Sequence, residues 1–273
     1  MSNIYDALRK AGGDEPPERK RAAAKEKAAA PAAPAGEAEA PPVPAAGARL
    51  VPRGSIAGHL IGEPDLAFLK ELDRLRASLE VTLGARLPHR VGFLAATTGE
   101  GTTTLAMHFA HLMAHLAERR VLLVDADMGR SNVALSAVVE DRDGLTELLR
   151  GERSAADVVL ATEEPNLHFL PAGRDQVRYV ETTTPGRLRT VLTDLSHYYD
   201  WIVVDIAPVL RHPEASVIGA ATDGLVFIVR AHRTSRDVAR RAMEELNVAR
   251  CRILGTVLNA RREPLPGFLR ERV

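Results

Sequence analysis

Val91-Gly-Phe-Leu-Ala-Ala96 is an apolar run, Thr98-Gly-Glu-Gly-Thr-Thr-Thr104 is a glycine-containing turn, and Leu105 to Ala114 is an apolar stretch with helical character. Strand, glycine-rich turn and helix in that order constrain the fold more than any other part of the chain, because this is the context of a phosphate-binding loop of the Walker A kind. Glycines let the backbone wrap a pyrophosphate. Exposed N–H groups at the helix N-terminus point at it, and the hydroxyl after the lysine position binds Mg²⁺. Gly99, Glu100, Gly101, Thr102, Thr103 and Thr104 are therefore the expected nucleotide-binding residues. Thr103 offers the metal-binding hydroxyl. Thr102 stands where the lysine belongs, and Ala96 stands where the first glycine would be.

Two further segments decide whether the loop is an altered phosphate site or a coincidence. Arg120-Val-Leu-Leu-Val-Asp125-Ala-Asp127 is an apolar strand ending in acids at i and i+2, which alternation aims at one face. Asp200-Trp-Ile-Val-Val-Asp205-Ile-Ala-Pro208 is a second strand ending in an acid, the form of a Walker B segment. Two acids on one face at a strand tip suit a Mg²⁺ ion and an attacking hydroxyl. Asp127, Asp125 and Asp205 are the expected catalytic acids, and Thr103, Asp125 and Asp205 the expected metal ligands.

From about Leu66 onward the pattern is regular. An amphipathic helix over 66–83 precedes strands near 91–96, 121–126, 167–171, 201–205, 225–230 and 253–258, interleaved with helices near 102–118, 143–150, 154–161, 185–198, 213–221 and 235–247. This alternation predicts an α/β fold: a mostly parallel sheet flanked by helices in three layers, with right-handed crossovers. Ligands of such sheets bind outside the carboxyl ends of the strands, where the loop and all three aspartates lie.

The 273 residues carry 36 basic and 36 acidic side chains, and no apolar run approaches the ~20 residues of a membrane span. Balanced charge with dispersed basic residues argues against nucleic acid as a partner, although Arg261, Arg262, Arg270 and Arg272 make a basic end. The absence of an apolar signal core and the single Cys251, read as a small strand residue, predict a cytoplasmic protein. Between Gly12 and about residue 55 the chain is rich in Ala, Pro, Glu and Lys and is expected to be a disordered linker. Before it, Ile4, Leu8 and Ala11 at helical spacing predict a short docking helix over 1–11. The predicted organisation is thus helix 1–11, linker 12–55, a nucleotide-binding domain 56–262 and a tail 263–273.

Together and in order, these motifs resemble the cytoplasmic domain of the bacterial tyrosine kinases (BY-kinases) of capsular and exopolysaccharide biosynthesis. That family lies within the deviant Walker P-loop ATPases that include Min- and ParA-type proteins. The family loop P-G-E-G-K-S-T is similar to Thr98-Gly-Glu-Gly-Thr102-Thr103-Thr104. D-A-D-x-R-R-P is similar to Asp125-Ala-Asp-Met-Gly129-Arg130-Ser131, and Y-D-x-I-I-I-D-T-P-P to Tyr199-Asp-Trp-Ile-Val-Val-Asp205-Ile-Ala-Pro208. The resemblance implies ATP or ADP with Mg²⁺ as cofactors. It also implies a membrane polysaccharide co-polymerase or chain-length-determinant protein as partner, self-association into a homo-oligomer, and a peripheral position at the inner membrane through that partner.

Departures from the family pattern shape the functional expectation. Thr102 replaces the loop lysine, no tyrosine cluster follows Asn259, and the family's E-x-x-R-x-x-R helix motif falls on Lys70, Asp73 and Arg76, or in a shifted register on Glu71, Arg74 and Ala77. Three readings follow: a nucleotide-binding, regulatory or scaffolding relative with weak or lost kinase activity; an active tyrosine autokinase or ATPase with an atypical loop; and a Min- or ParA-like positioning ATPase. The last is disfavoured because the loop lacks both lysines used by that group. His108, His111 and His115 share one predicted helix at spacings of three and four, but no acid or cysteine in the sequence pattern completes a metal set, and packing is their expected role. Tyr179, Tyr198, Tyr199 and Trp201 are likewise read as packing residues.

Overall fold

A computed structural model describes residues 65–127, 142–162, 164–174 and 184–261. The expected docking helix, the linker, Arg130, Tyr179 and the tail 263–273 lie outside the described residues. In chain order the elements are α1 (Leu66–Leu83), β1 (His89–Ala95), α2 (Thr102–His115), β2 (Val121–Ala126), α3 (Leu145–Arg150), α4 (Ala155–Val158), β3 (Leu160–Ala161), β4 (Leu167–Leu170), α5 (Pro185–Leu195), β5 (Trp201–Ile206), α6 (Glu214–Ala221), β6 (Gly224–Arg230), α7 (Arg236–Val248) and β7 (Ile253–Asn259).

The strands form one seven-stranded sheet in the order β3-β4-β2-β5-β1-β6-β7. Every pairing is parallel except that of β3 with β4. The central strands are apolar throughout because both faces are covered, as parallel sheets require. Val91, Phe93 and Ala95 of β1 pack with α1 and α2, whereas Leu94 and Ala96 pack on the other side with α3, α5, α6 and α7. The expected three-layer α/β fold is therefore present.

Differences from the sequence expectation are local. The helix expected over 154–161 stops at Val158, and the chain turns into the antiparallel edge strand β3, which the sequence reading did not separate from it. Val158, Val159 and Leu160 are all buried, and so continuous an apolar run carries no period to mark where helix gives way to strand. Cys251 lies just before β7 rather than in a strand, buried, with its thiol donating to the Ser216 carbonyl at 3.3 Å.

The N-terminal ends of the strands are pinned by ion pairs. Arg90 at the start of β1 and its own N–H both reach Asp223, and Arg120 just before β2 does the same with Asp200. At the opposite, carboxyl edge, β1, β2, β5 and β6 leave the space from which the candidate site is built.

Candidate phosphate and metal site

Residues 96–101 bridge β1 and α2. Gly101 caps α2 in the left-handed region with φ 93°, and Gly99 has φ 79°, conformations that side chains with a Cβ rarely adopt. A Cβ on Gly101 would also run into the Asn259 side-chain amide. Since the first helical bond of α2 runs from the Leu105 N–H to the Gly101 carbonyl, the N–H groups of Thr102, Thr103 and Thr104 open the helix, and no side chain caps it. A fourteen-residue helix ending this way presents N–H donors and a positive dipole end to an anion.

Glu100 does not face that anion space with its side chain. Its carboxylate is buried, accepting from the Thr97 N–H at 3.0 Å, the Thr97 hydroxyl at 2.8 Å and the Arg230 N–H at 3.2 Å. Glu100 thus braces the loop from within and leaves its backbone for the ligand. Asn259 at the end of β7 donates from its amide to the Glu100 carbonyl at 2.7 Å. Arg230, the last residue of β6, donates to the Gly99 carbonyl at 2.8 Å, and Arg233 reaches the same oxygen at 3.5 Å.

Beneath the loop, β2 and β5 pair in register with Asp125 opposite Asp205. Both carboxylates are buried, and neither oxygen of Asp205 has a partner in hydrogen-bond geometry among the described residues. Burial pushes the Asp205 carboxyl well above its ordinary range and the charge of Asp125 adds to the rise; the neighbouring Thr103 hydroxyl acts in the opposite direction. Burial likewise carries Asp125 up to about 7, against the pull of the Asp127 N–H, which donates to Asp125 Oδ1 at 3.0 Å; the Asp127 charge then adds to the rise. Two acids forced together in a dry pocket beside a threonine hydroxyl form a donor set that calls for a hard divalent cation, since oxygen ligands are what Mg²⁺ takes. A buried carboxylate pair with only the Thr103 hydroxyl acting against the rise at Asp205 fits that ion.

Of the expected residues, the fold brings Thr103, Asp125 and Asp205 together, places Asp127 next to them at the end of β2, and sets Gly99, Gly101, Thr102 and Thr104 in the loop and first helical turn. Sequence reading missed Arg230, Arg233 and Asn259. A charged residue ending an apolar strand was a visible signal for Arg230, but only the order of strands, with β6 beside β1, shows that it lands on this loop.

The AAA domain family matches residues 91–241, just over half of the 273-residue chain. The chain belongs to this family. Its curated relatives include bacterial tyrosine kinases: the AAA-domain chain is 26% identical over 200 residues to the tyrosine-protein kinase YwqD of Bacillus subtilis, covering 73% of itself and 84% of that protein. It is 27% identical over 164 residues to the tyrosine-protein kinase CpsD of Streptococcus agalactiae, covering 59% and 70%. Against the putative tyrosine-protein kinase EpsB of Ralstonia nicotianae it is 26% identical over 197 residues, yet spans only 26% of that longer protein. Among solved structures, the BceF tyrosine kinase domain superposes with a TM-score of 0.62 at 27% identity, covering 70% of this chain and 76% of that one. The kinase domain of Escherichia coli ETK reaches 0.66 at 23%, covering 73% and 79%. MinD of Pyrococcus horikoshii, solved with Mg-ADP, shares the fold at 0.52 and 24%, covering 67% and 75%.

Proposed function

We propose that this AAA-domain protein is a nucleotide-binding component of exopolysaccharide or capsule biosynthesis or export whose tyrosine kinase activity is weak or lost, and which acts as a regulator or scaffold. The observation that carries the reading is the convergence of Thr103, Asp125 and Asp205 under the open N-terminus of α2. In this arrangement the N–H groups of the loop and of Thr102, Thr103 and Thr104 hold the phosphates of ATP or ADP, and Thr103, Asp125 and Asp205 hold Mg²⁺. A bound Mg²⁺ would supply positive charge to neutralise the phosphates. Asp127 accepts the proton of an attacking hydroxyl. Glu100, Arg230 and Asn259 keep the loop in its wrapped form.

Phosphoryl transfer rests on positive charge placed against the migrating group, and the hydroxyl of Thr102 supplies none. Losing one such partner costs roughly 3–4 kcal/mol of barrier, about 10²–10³-fold in rate, and weakens nucleotide binding as well. The names of the relatives support the pathway: YwqD and CpsD are tyrosine-protein kinases, and the relative ExoP of Rhizobium meliloti is a succinoglycan biosynthesis transport protein. Among the described residues no helix is long and apolar enough to cross a membrane. The reading places the chain in the cytoplasm and brings it to the inner membrane through a polysaccharide co-polymerase or chain-length-determinant protein. A homo-oligomer is part of the same reading, and nucleic acid is not. Residues 1–11 are the proposed docking helix for that partner, on the linker 12–55, ahead of the nucleotide-binding domain 56–262 and the tail 263–273.

One observation favours an active enzyme instead. Arg230 and Arg233 place two guanidinium groups at the Gly99 carbonyl, on the loop that lost its lysine. Incubating the purified protein with γ-labelled ATP separates the readings. Tyrosine labelling that Asp127→Asn abolishes supports the active kinase; nucleotide binding without labelling supports the regulator.

A further inference from the structure

At the far end of α2 from the loop, His111 and His115 stand one turn apart with their rings parallel, centroids 5.5 Å apart and planes within 6°. Glu164, from the turn between β3 and β4, completes a set with them: one ligand atom from each of the three residues lies within 4.8 Å of the others. The sequence could not pair Glu164 with a helix some fifty residues earlier, so the histidines looked like packing residues. His108 does have that role, buried with its ring edge-on to Phe68 at 5.2 Å.

Glu164 is held in place rather than trailing into solvent. The Thr162 hydroxyl accepts from its N–H at 3.1 Å and donates chiefly to the Leu167 carbonyl at 2.8 Å, with the Glu164 carbonyl 3.1 Å from the same hydroxyl, and the Leu167 N–H donates to the Glu164 carbonyl at 2.9 Å. The turn is fixed to α2 as well: Asn166 donates to the Ala114 carbonyl at 3.5 Å and accepts from the Val121 N–H at 2.8 Å. His115 Nδ1 is hydrogen-bonded to Glu164 Oε2 at 2.9 Å, so the two atoms need separate only slightly to reach the ~3.3 Å between tetrahedral ligands that each lie about 2.0–2.1 Å from one ion.

We propose that His111, His115 and Glu164 form a binding site for a divalent transition-metal ion of the Zn²⁺ class. Two imidazoles on successive helical turns with one carboxylate are a donor set for Zn²⁺, Co²⁺ or Ni²⁺, whereas Mg²⁺ requires oxygen ligands. Three protein ligands leave a position for water. A bound ion ties the C-terminal end of α2 to the β3–β4 turn. By helical rise it lies about 12–18 Å along the axis from Thr103, so this site and the phosphate site are separate.

Calorimetric titration of the full-length, nucleotide-free protein with zinc chloride tests the site, run for the wild type and for His115→Ala, Glu164→Gln and Asp205→Asn. His115 and Glu164 are used because His115 is largely exposed, with 59% of its side chain accessible, so its loss leaves the core intact. Thermal melts check that each variant is folded. The wild type is expected to bind Zn²⁺ at one site that survives millimolar MgCl₂. His115→Ala and Glu164→Gln are expected to weaken that site at least about tenfold, the lower end of what even a supporting partner of a metal ligand is worth. Asp205→Asn is expected to keep it. Unchanged affinity in His115→Ala and Glu164→Gln, loss in Asp205→Asn alone, or displacement of Zn²⁺ by Mg²⁺ would overturn the assignment.

Discussion

Asp125 and Asp205 face each other across β2 and β5, and their mutual burial is a cost that the fold carries without a cation. With Asp125 at about 7 when folded and near 3.8 when unfolded, the folded state binds the extra proton between those values. The contribution of this group to the stability of the nucleotide-free protein is therefore most favourable below about pH 4 and falls as pH rises to about 7, whereas the Arg120–Asp200 pair, with its lowered Asp200 carboxyl, contributes in the opposite sense. The loss amounts to at most about 4 kcal/mol for this one group, and the acids titrate as a pair. Asp125→Asn removes the cost, so its melting temperature at pH 8 should exceed that of the wild type by several degrees, with the gap closing near pH 4. Melts across that range, without nucleotide and with EDTA, check this; a gap independent of pH would contradict it. A second residue-scale expectation concerns Arg230, whose guanidinium meets the Gly99 carbonyl and whose N–H meets Glu100. Arg230→Gln keeps the N–H and removes the charge. Nucleotide affinity should fall several-fold in titrations at low salt, while the melting temperature of the nucleotide-free protein stays nearly constant, because an exposed side-chain bond contributes only about 0.5–1.5 kcal/mol.

The loop, the end of β7 and the first turn of α2 act as one element. Gly101→Ala forces a Cβ into the Asn259 amide at a φ that suits glycine, so it should abolish nucleotide binding. Asn259→Ala leaves the glycine conformation free and removes only the bond to the Glu100 carbonyl, so binding should weaken without being lost. Equal effects of the two variants, measured by the same titration, would show that the loop conformation is not what the site depends on. Much of this element was legible in the sequence. Strand, glycine turn and helix have local signatures, and the carboxylates at the ends of β2 and β5 follow from apolar runs with period-two alternation. The latch formed by Arg230, Arg233 and Asn259 was not, because it depends on β6 being placed beside β1 and β7 beside β6, a non-local outcome of sheet order. The edge strand β3 was hidden for a different reason: Val158, Val159 and Leu160 carry no period. Glu164 escaped notice because a surface turn gave no local reason to face α2.

At the scale of the whole molecule, a seven-stranded sheet with buried central strands carries the candidate site on its carboxyl edge. The fold of the tyrosine kinase domains persists, with the glycine turn, its bracing glutamate and the paired acids in place, and in the proposed reading Thr102 is the residue that separates pocket from catalyst. Titration of the purified full-length protein with Mg-ADP, alongside Thr102→Lys, is the most direct test of that separation. The account predicts that the wild type binds in the micromolar-to-millimolar range and that Thr102→Lys binds tighter by at least about tenfold, a lysine on the phosphates being worth more than about 1.4 kcal/mol. No heat of binding for the wild type at millimolar Mg-ADP, or equal affinity for the two proteins, would contradict it.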